Sequence, residues 1–186
     1  MPSSTWIHTS QVCQWIWEIK PASVLDVGCG FGRWGFLARE ICDIFHGRYD
    51  QTSWRTKIDA VEIYLRYITP LHRLIYDEIH VADALWFFQN AAQAQVWDLV
   101  MMGDVVEHFE KSAGLELIEE AKAHAKNVII SIPIGDKWPQ KACLGNEQER
   151  HLSVWCKEDF AQATVYQEFV EPIKKRPYGL ILWRGL

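Results

Sequence analysis

The sequence lacks the features that mark secreted, disulfide-linked or zinc-binding proteins. Its five cysteines are scattered and no two form a Cys-x-x-Cys pair, so neither a disulfide framework nor a zinc site is predicted, and we expect no metal ligands. The N-terminus has no basic segment followed by an apolar core, and no apolar run approaches the ~20 residues that span a bilayer. These absences predict a reduced, soluble, cytoplasmic protein.

Positive charge is also scarce. The chain has 19 lysines and arginines against 24 acidic residues, a net charge of −5, which provides no basic surface for a phosphate backbone. Nucleic acid is therefore a disfavoured partner, whereas a homodimer is left open. A length of 186 residues with 49% hydrophobic content suits one core, so residues 1–186 are predicted to form a single domain.

Strands and helices alternate along most of the chain. An N-terminal helical segment, residues 1–22, precedes a core, residues 23–133, in which the periodicity predicts strands at 23–28, 58–62, 79–82, 98–102 and 127–132. Helices are predicted between them at 33–45, 69–76, 85–95 and 112–125. A loop at 134–156 follows, and then a helix from about residue 157 and two closing strands at 164–171 and 178–183.

This alternation predicts an α/β fold. The expected architecture is a Rossmann-like, seven-stranded, mostly parallel sheet with an antiparallel C-terminal strand and helices on both faces. The last two strands are expected to pair antiparallel because their connection is short. Ligands of such sheets bind beyond the carboxyl ends of the strands, so the residues that follow each strand are the candidates for a site.

The first strand ends in a glycine-rich turn. Glycine is needed where the backbone takes a positive φ or approaches a ligand without a Cβ, so the turn is expected to cradle a small molecule. Gly30, Gly32 and Gly35 fit the dinucleotide pattern G-x-G-x-x-G. However, Glu62 lies 32 residues after Gly30 instead of about 20, and Asp26 would oppose a pyrophosphate and suit a cation.

Carboxylates follow three further strands. Glu62, Asp83 and Asp104 come after the second, third and fourth predicted strands. Glu62 is placed to accept hydrogen bonds from two ribose hydroxyls, because a carboxylate offers two acceptor oxygens. Asp83 either accepts a bond from an amine of the ligand or only caps the next helix.

These segments resemble, in order and spacing, the motifs of class I S-adenosylmethionine-dependent methyltransferases. The resemblance covers residues 25–32, 61–62, 82–84 and 98–108, within a match of roughly 23–133. It implies S-adenosyl-L-methionine as the cofactor, with the ribose at Glu62 and the adenine at Asp83 and Ala84. The methionine portion is expected at Asp26, Gly28, Gly30, Gly103 and Asp104, and the neighbouring Cys29 and Ile63 complete the expected cofactor contacts.

The loop at 134–156 is expected to form the substrate wall, since it leaves a central strand and loops of this length are usually functional. His108, at the end of the fourth strand, and His151, in this loop, are candidate general bases, because the histidine pKa suits proton acceptance near neutral pH. Each is equally consistent with an ordinary structural histidine. The sequence lacks the Asn-Pro-Pro-aromatic, Asp-Pro-Pro-aromatic and Pro-Cys motifs of nucleobase-methylating family members, which favours a small-molecule acceptor.

Three hypotheses follow. The leading one is an S-adenosylmethionine-dependent methyltransferase that acts on a small molecule. An NAD(P)-dependent oxidoreductase is the first alternative, although no hydride-transfer residues are recognisable. The second alternative is a catalytically silent module that binds the cofactor or a protein partner, for which ten tryptophans would supply an interface.

Overall fold

The computed structural model describes residues 5–92, 94–143 and 145–185. Its seven strands form one sheet in the order β3-β2-β1-β4-β5-β7-β6. The strands are β1 Ser23–Val27, β2 Lys57–Val61, β3 Glu78–His80, β4 Leu99–Gly103, β5 Asn127–Pro133, β6 Val165–Val170 and β7 Pro177–Arg184. Neighbours from β3 to β5 are parallel, and β7 runs antiparallel to both β5 and β6. The expected mostly parallel sheet with its antiparallel closing strand is confirmed.

Helices pack on both faces of this sheet. They are α1 Thr9–Ile19, α2 Arg33–Cys42, α3 Pro70–Ile75, α4 Ala84–Asn90 and α5 Lys111–Ala123. Successive strand residues point to opposite faces, so β1 contributes Val24 to a core shared with α1, α2 and α3 and Leu25 to a core shared with α4 and α5. The near-continuous apolar strands of the sequence are explained by this burial on both sides.

The helix expected from residue 157 is wrong. The chain forms a single 3₁₀ turn, Lys157–Phe160, in which Phe160 is buried against Trp155. Only four residues separate Phe160 from β6, so the chain has to turn back at once and cannot add a helical turn. The predicted helix at 85–95 is also shorter, because α4 ends at Asn90.

Within the described residues, no helix is long and apolar enough to cross a membrane.

The topology indicates which edge of the sheet is expected to bind a ligand. Strand β1 lies between β2 and β4, so the connections that leave β1 and β4 depart in opposite directions along the sheet. Such a reversal opens a crevice beyond the carboxyl ends of the strands. The glycine turn and the residues that follow β2, β3 and β4 all lie at this edge.

Candidate functional site

A cleft of about 890 Å³ opens at the carboxyl ends of the central strands. Its volume is that of a site for a small organic molecule, roughly 300–1,000 Å³. The cleft is lined by both predicted histidines, His108 and His151, and by every predicted cofactor residue except Asp26, namely Gly28, Cys29, Gly30, Glu62, Ile63, Asp83, Ala84, Gly103 and Asp104. Residues 138–143 and several residues between 146 and 152 form a large part of its wall.

Asp26 lies beneath the cleft, not in its wall. Its side chain is fully buried, and Oδ2 accepts hydrogen bonds from the Gly35 amide at 3.0 Å and the Tyr76 hydroxyl at 2.6 Å. Burial raises the pKa of the Asp26 carboxyl to about 7, more than these two bonds lower it. Asp26 is therefore not placed to contact a ligand in the cleft directly and instead supports the glycine turn from below.

The glycine turn depends on conformations and close contacts that side chains would prevent. Gly28 has φ +65° and Gly30 has φ +49°, in the left-handed region. A Cβ on Gly28 would lie 2.6 Å from Cγ2 of Val105, which follows β4. The glycine turn therefore packs closely against the segment that follows β4. This contact brings two walls of the cleft together.

Two side chains near α3 brace this turn. Nδ1 of His72 accepts the Thr69 amide at 3.1 Å, so Nε2 carries the hydrogen and donates it to the Gly30 carbonyl at 2.9 Å. The Tyr76 ring packs against Gly35, where a Cβ would lie 2.2 Å from Cε1 of the ring. The sequence analysis did not predict either role. The only signal for them in the sequence was that His72 and Tyr76 are four residues apart, in or beside a short helix.

Glu62 connects the end of β2 to the glycine turn. Its carboxylate is 5% exposed; Oε2 accepts the Gly30 amide at 3.1 Å and Oε1 accepts the Tyr64 amide at 2.8 Å. Burial raises its pKa above the usual range. Because each carboxylate oxygen accepts more than one hydrogen bond, Glu62 keeps capacity for two further donors from the cleft.

The residues after β3 and β4 complete this half of the cleft. Asp83 is the N-cap of α4 and accepts the Trp86 amide at 2.9 Å, so the capping role considered from the sequence is present. Ala84 lines the cleft beside it. Asp104 has φ +56°, a strained backbone for a residue with a side chain, of the kind that concentrates at functional sites.

The opposite wall is tied to both sides of the cleft. The amides of Leu152 and Ser153 donate to the Glu107 carbonyl at 2.8 and 3.2 Å. The Tyr67 hydroxyl, from the segment after β2, donates to Oε1 of the buried Glu149 at 2.9 Å. The expected substrate-side loop is therefore an ordered wall, and Tyr67 is a further contact that the sequence did not indicate.

His108 and His151 lie side by side on this wall, with ring centroids 5.0 Å apart. Nδ1 of His108 is 3.0 Å from the Arg150 carbonyl and Nδ1 of His151 is 2.6 Å from the Trp138 carbonyl. Burial lowers the pKa of both rings, that of His151 to about 4 with a further contribution from His108. Both rings are therefore neutral at pH 7.

Glu107 is the least expected residue of the site. Its side chain is 1% exposed and lines the cleft; no N–H group of the described residues donates to its oxygens, and its polar neighbour is the carboxyl group of Asp104. Burial and the neighbouring Asp104 raise its pKa well above the usual range. The sequence analysis singled out His108 but not Glu107, which directly precedes it; that position was the available signal, and both residues lie in the 3₁₀ turn Val106–His108.

The sequence matches no family model and, at a significant level, no curated protein. The fold is nevertheless shared with many solved structures. TehB from Haemophilus influenzae superposes with a TM-score of 0.68 at 14% identity; the match covers 95% of this chain and 62% of TehB. The chain therefore spans less than two thirds of that protein.

Two other solved structures with the same fold are methyltransferases. The 1,6-didemethyltoxoflavin-N1-methyltransferase of Burkholderia thailandensis, solved with S-adenosylhomocysteine, has a TM-score of 0.66 at 15% identity over 94% of this chain and 78% of its own. The N-methyltransferase NodS of Bradyrhizobium japonicum has a TM-score of 0.59 at 10% identity over 95% and 96%. The chain therefore has the fold of class I S-adenosylmethionine-dependent methyltransferases.

Proposed function

We propose that this protein is an S-adenosylmethionine-dependent methyltransferase that acts on a small molecule. The fold and the 890 Å³ cleft at its switch point support this assignment. The single observation that carries it is the Glu62 carboxylate, buried at the end of β2 and bonded to the Gly30 amide of the glycine turn. This geometry presents two acceptor oxygens to a diol directly beside a cradle built from glycine.

The cleft has the chemistry that this cofactor requires. S-adenosylmethionine carries a sulfonium and an ammonium and no phosphate, and Glu62, Asp83 and Asp104 all line the cleft. Glu62 would bind the ribose hydroxyls, and Asp83 with the Ala84 backbone would bind the adenine. Gly28, Gly30, Gly103 and Asp104 would surround the methionine portion, with Cys29 and Ile63 in contact beside them and Asp26 holding the turn from below.

When bound, the cofactor supplies an electrophilic methyl group on sulfur. The protein's contribution is to align the acceptor with that methyl group and to exclude water, since proximity and orientation account for much of the rate of such a displacement. His108 and His151 lie where the acceptor would enter. A neutral ring can accept a proton or bind a ligand, and the Nδ1 contacts fix both rings; the pKa of about 4 makes His151 the weaker candidate for a base near neutral pH.

A small acceptor is favoured by the size of the cleft and by its ordered wall. Trp138, Gln140 and Glu149 line the cleft and are held by hydrogen bonds, so fixed side chains bound the space beside the cofactor half. The net charge of −5 opposes binding of a nucleic acid. The structurally similar 1,6-didemethyltoxoflavin-N1-methyltransferase, which was solved with 1,6-didemethyltoxoflavin bound, supports the proposal of a small-molecule acceptor.

Thermal shift with each cofactor separates the proposal from its alternatives. We expect S-adenosylmethionine and S-adenosylhomocysteine to raise the melting temperature, since a ligand that binds only the folded state stabilises it. Stabilisation by NAD or NADP without any effect of S-adenosylmethionine would favour an oxidoreductase. Cofactor binding without turnover on a broad acceptor panel, together with a stable protein complex, would favour the silent module.

A further inference from the structure

Three metal-ligating side chains converge on the acceptor side of the cleft. One oxygen of Glu107 and one ring nitrogen each of His108 and His151 lie within 4.8 Å of one another. Glu107 and His108 are adjacent in the 3₁₀ turn after β4, whereas His151 comes from the opposite wall. Two separate parts of the chain thus bring a carboxylate and two imidazoles together.

Both histidines are held in the form that binds metal ions. Each Nδ1 faces a backbone carbonyl, at Arg150 for His108 and at Trp138 for His151. A carbonyl only accepts hydrogen bonds, so each Nδ1 carries the hydrogen and the lone pair resides on Nε2. Metal-bound histidines characteristically donate the other ring hydrogen to such a partner, which fixes the ring.

Glu107 supplies the independent observation. A polar side chain buried in a protein is almost always hydrogen-bonded, and leaving it without a partner is costly. Glu107 is 1% exposed and lines the cleft; its polar neighbour is the carboxyl group of Asp104, and no N–H group among the described residues donates to its oxygens, so the two facing acids need a shared proton or a cation. Asp104 and Glu149 also line this region, so the surrounding field favours a cation.

We propose that Glu107, His108 and His151 bind one divalent first-row transition-metal ion at the acceptor end of the cleft. A two-histidine, one-carboxylate set with open positions is a recurrent site for such ions. Ligands ~2.1 Å from an ion lie about 3–3.5 Å apart, so the three groups must move together on binding.

The metal would act on the acceptor. This step rests on the proposed methyltransferase function: an acceptor hydroxyl bound to the ion would lose its proton to water more readily. Its oxygen would then form a bond to the methyl carbon while the carbon–sulfur bond breaks and the electron pair stays on sulfur. The histidines would in that case be ligands, and the proton would leave without a histidine base.

Titration of the metal-free protein with Co²⁺ tests the site, with calorimetry and the visible absorption of the ion as readouts. We expect one ion per chain. His151→Ala and Glu107→Gln should weaken binding at least about 100-fold, because even loss of outer-shell partners typically costs 10–100-fold. His46→Ala and Glu116→Gln, at exposed positions, are the matched controls and should bind as the unchanged protein does.

A Cys143→Ser background removes the thiol that also lines the cleft. Absence of stoichiometric Co²⁺ binding, or equal affinity in His151→Ala and in His46→Ala, would overturn the proposal. Calorimetric binding of S-adenosylmethionine to the same metal-free samples reports on the proposed function separately. Cofactor binding without metal binding would reject only the metal site, whereas metal binding without cofactor binding would reject only the methyltransferase assignment.

Discussion

Two buried glutamates on the same cleft show how differently its halves are built. Glu62, on the cofactor half, has both carboxylate oxygens bonded to backbone amides. Glu107, on the acceptor half, is equally buried, but its carboxyl group faces that of Asp104 and receives no N–H donor among the described residues. The first carboxylate is fixed by amide donors before any ligand arrives, whereas the second lacks such donors.

The same contrast extends to the side chains around them. On the cofactor half, His72 donates to Gly30 and Tyr76 donates to Asp26, so side chains serve the backbone of the turn. On the acceptor half, backbone carbonyls hold His108 and His151 and leave one nitrogen of each for a ligand. We infer that the cofactor half is a preformed cradle and that the acceptor half carries the reactive groups.

The largest effect is expected where the cradle is most tightly packed. Gly35→Ala would place a Cβ 2.2 Å from the Tyr76 ring and push the hydroxyl away from Asp26. We expect a loss of about 3 kcal/mol in the free energy of unfolding, as for severe overpacking. Gly145→Ala, at φ +78° in the acceptor wall with no atom near its Cβ, should cost only about 1 kcal/mol. Urea denaturation measures the free energy of unfolding of both variants. Equal losses in the two variants would contradict the difference between the cofactor half and the acceptor half.

The two glutamates themselves give the next largest difference. Glu62→Ala should weaken S-adenosylmethionine binding by roughly 30–100-fold, since hydrogen bonds to a charged group contribute about 1.5–3 kcal/mol. In metal-free protein, Glu107→Gln and His151→Ala should keep cofactor affinity within about threefold, and with the metal ion restored their turnover on any accepted substrate should fall below that of the unchanged protein. Calorimetry on the three variants checks this. A stronger loss of cofactor affinity in Glu107→Gln than in Glu62→Ala would reverse the assignment of the halves.

Asp26 provides a pH test of the cradle. Its pKa is raised in the folded state to about 7 from the ordinary 3.8, so folding favours the protonated form. The stability it contributes is therefore complete below about pH 4 and is lost as the pH rises through about 7, at ~1 kcal/mol per pH unit. Asp26→Asn lacks this dependence, so the stability of the unchanged protein relative to the variant should fall over that interval.

Asp26→Asn also separates an indirect role from a direct one. The amide oxygen keeps an acceptor for Gly35 and Tyr76, so cofactor affinity should change by less than about threefold at pH 8, where the carboxyl group of the unchanged protein is ionised. A loss above about 30-fold would show that the carboxylate charge itself contacts the cofactor, as the sequence first suggested. A parallel pH profile of stability in both proteins would instead contradict the raised pKa.

The smallest effect is expected at Asp83. Its carboxylate caps α4 through the Trp86 amide, and removal of such a cap costs about 1 kcal/mol. Asp83→Ala should therefore lower stability by that amount, with a modest decrease in cofactor affinity; Asp83→Asn, which keeps the cap, isolates the ligand contact. Identical affinity in all three proteins would restrict Asp83 to capping.

The sheet and the position of the cleft could be predicted from the sequence, because burial of a parallel sheet on both faces produces apolar strands and its ligands bind at one edge. The braces could not be predicted. His72 and Tyr76 are 42 and 50 residues from Gly30 and Asp26, which they contact, and no local pattern records that contact. The 3₁₀ turn at Lys157–Phe160 escaped prediction because the return to β6, a tertiary constraint, overrides helical propensity.

Asp26 and Glu107 show the limit most clearly. The position of a carboxylate at or near the end of a strand indicates that it lies near the cleft. It does not indicate whether the side chain lines the cleft or is buried beneath it. Asp26 faces Gly35 and Tyr76, and Glu107 faces the cleft, the opposite of the sequence-based emphasis. Only the three-dimensional packing of the glycine turn and the β4 connection distinguishes the two.

The most direct test of the central claim is calorimetric titration of S-adenosylmethionine into the metal-free protein and into Glu62→Ala. The account predicts one binding site per chain in the unchanged protein and an affinity roughly 30–100-fold lower in the variant, with its folded state retained. No binding of S-adenosylmethionine to the unchanged protein, or an affinity that Glu62→Ala leaves unaltered, would contradict it.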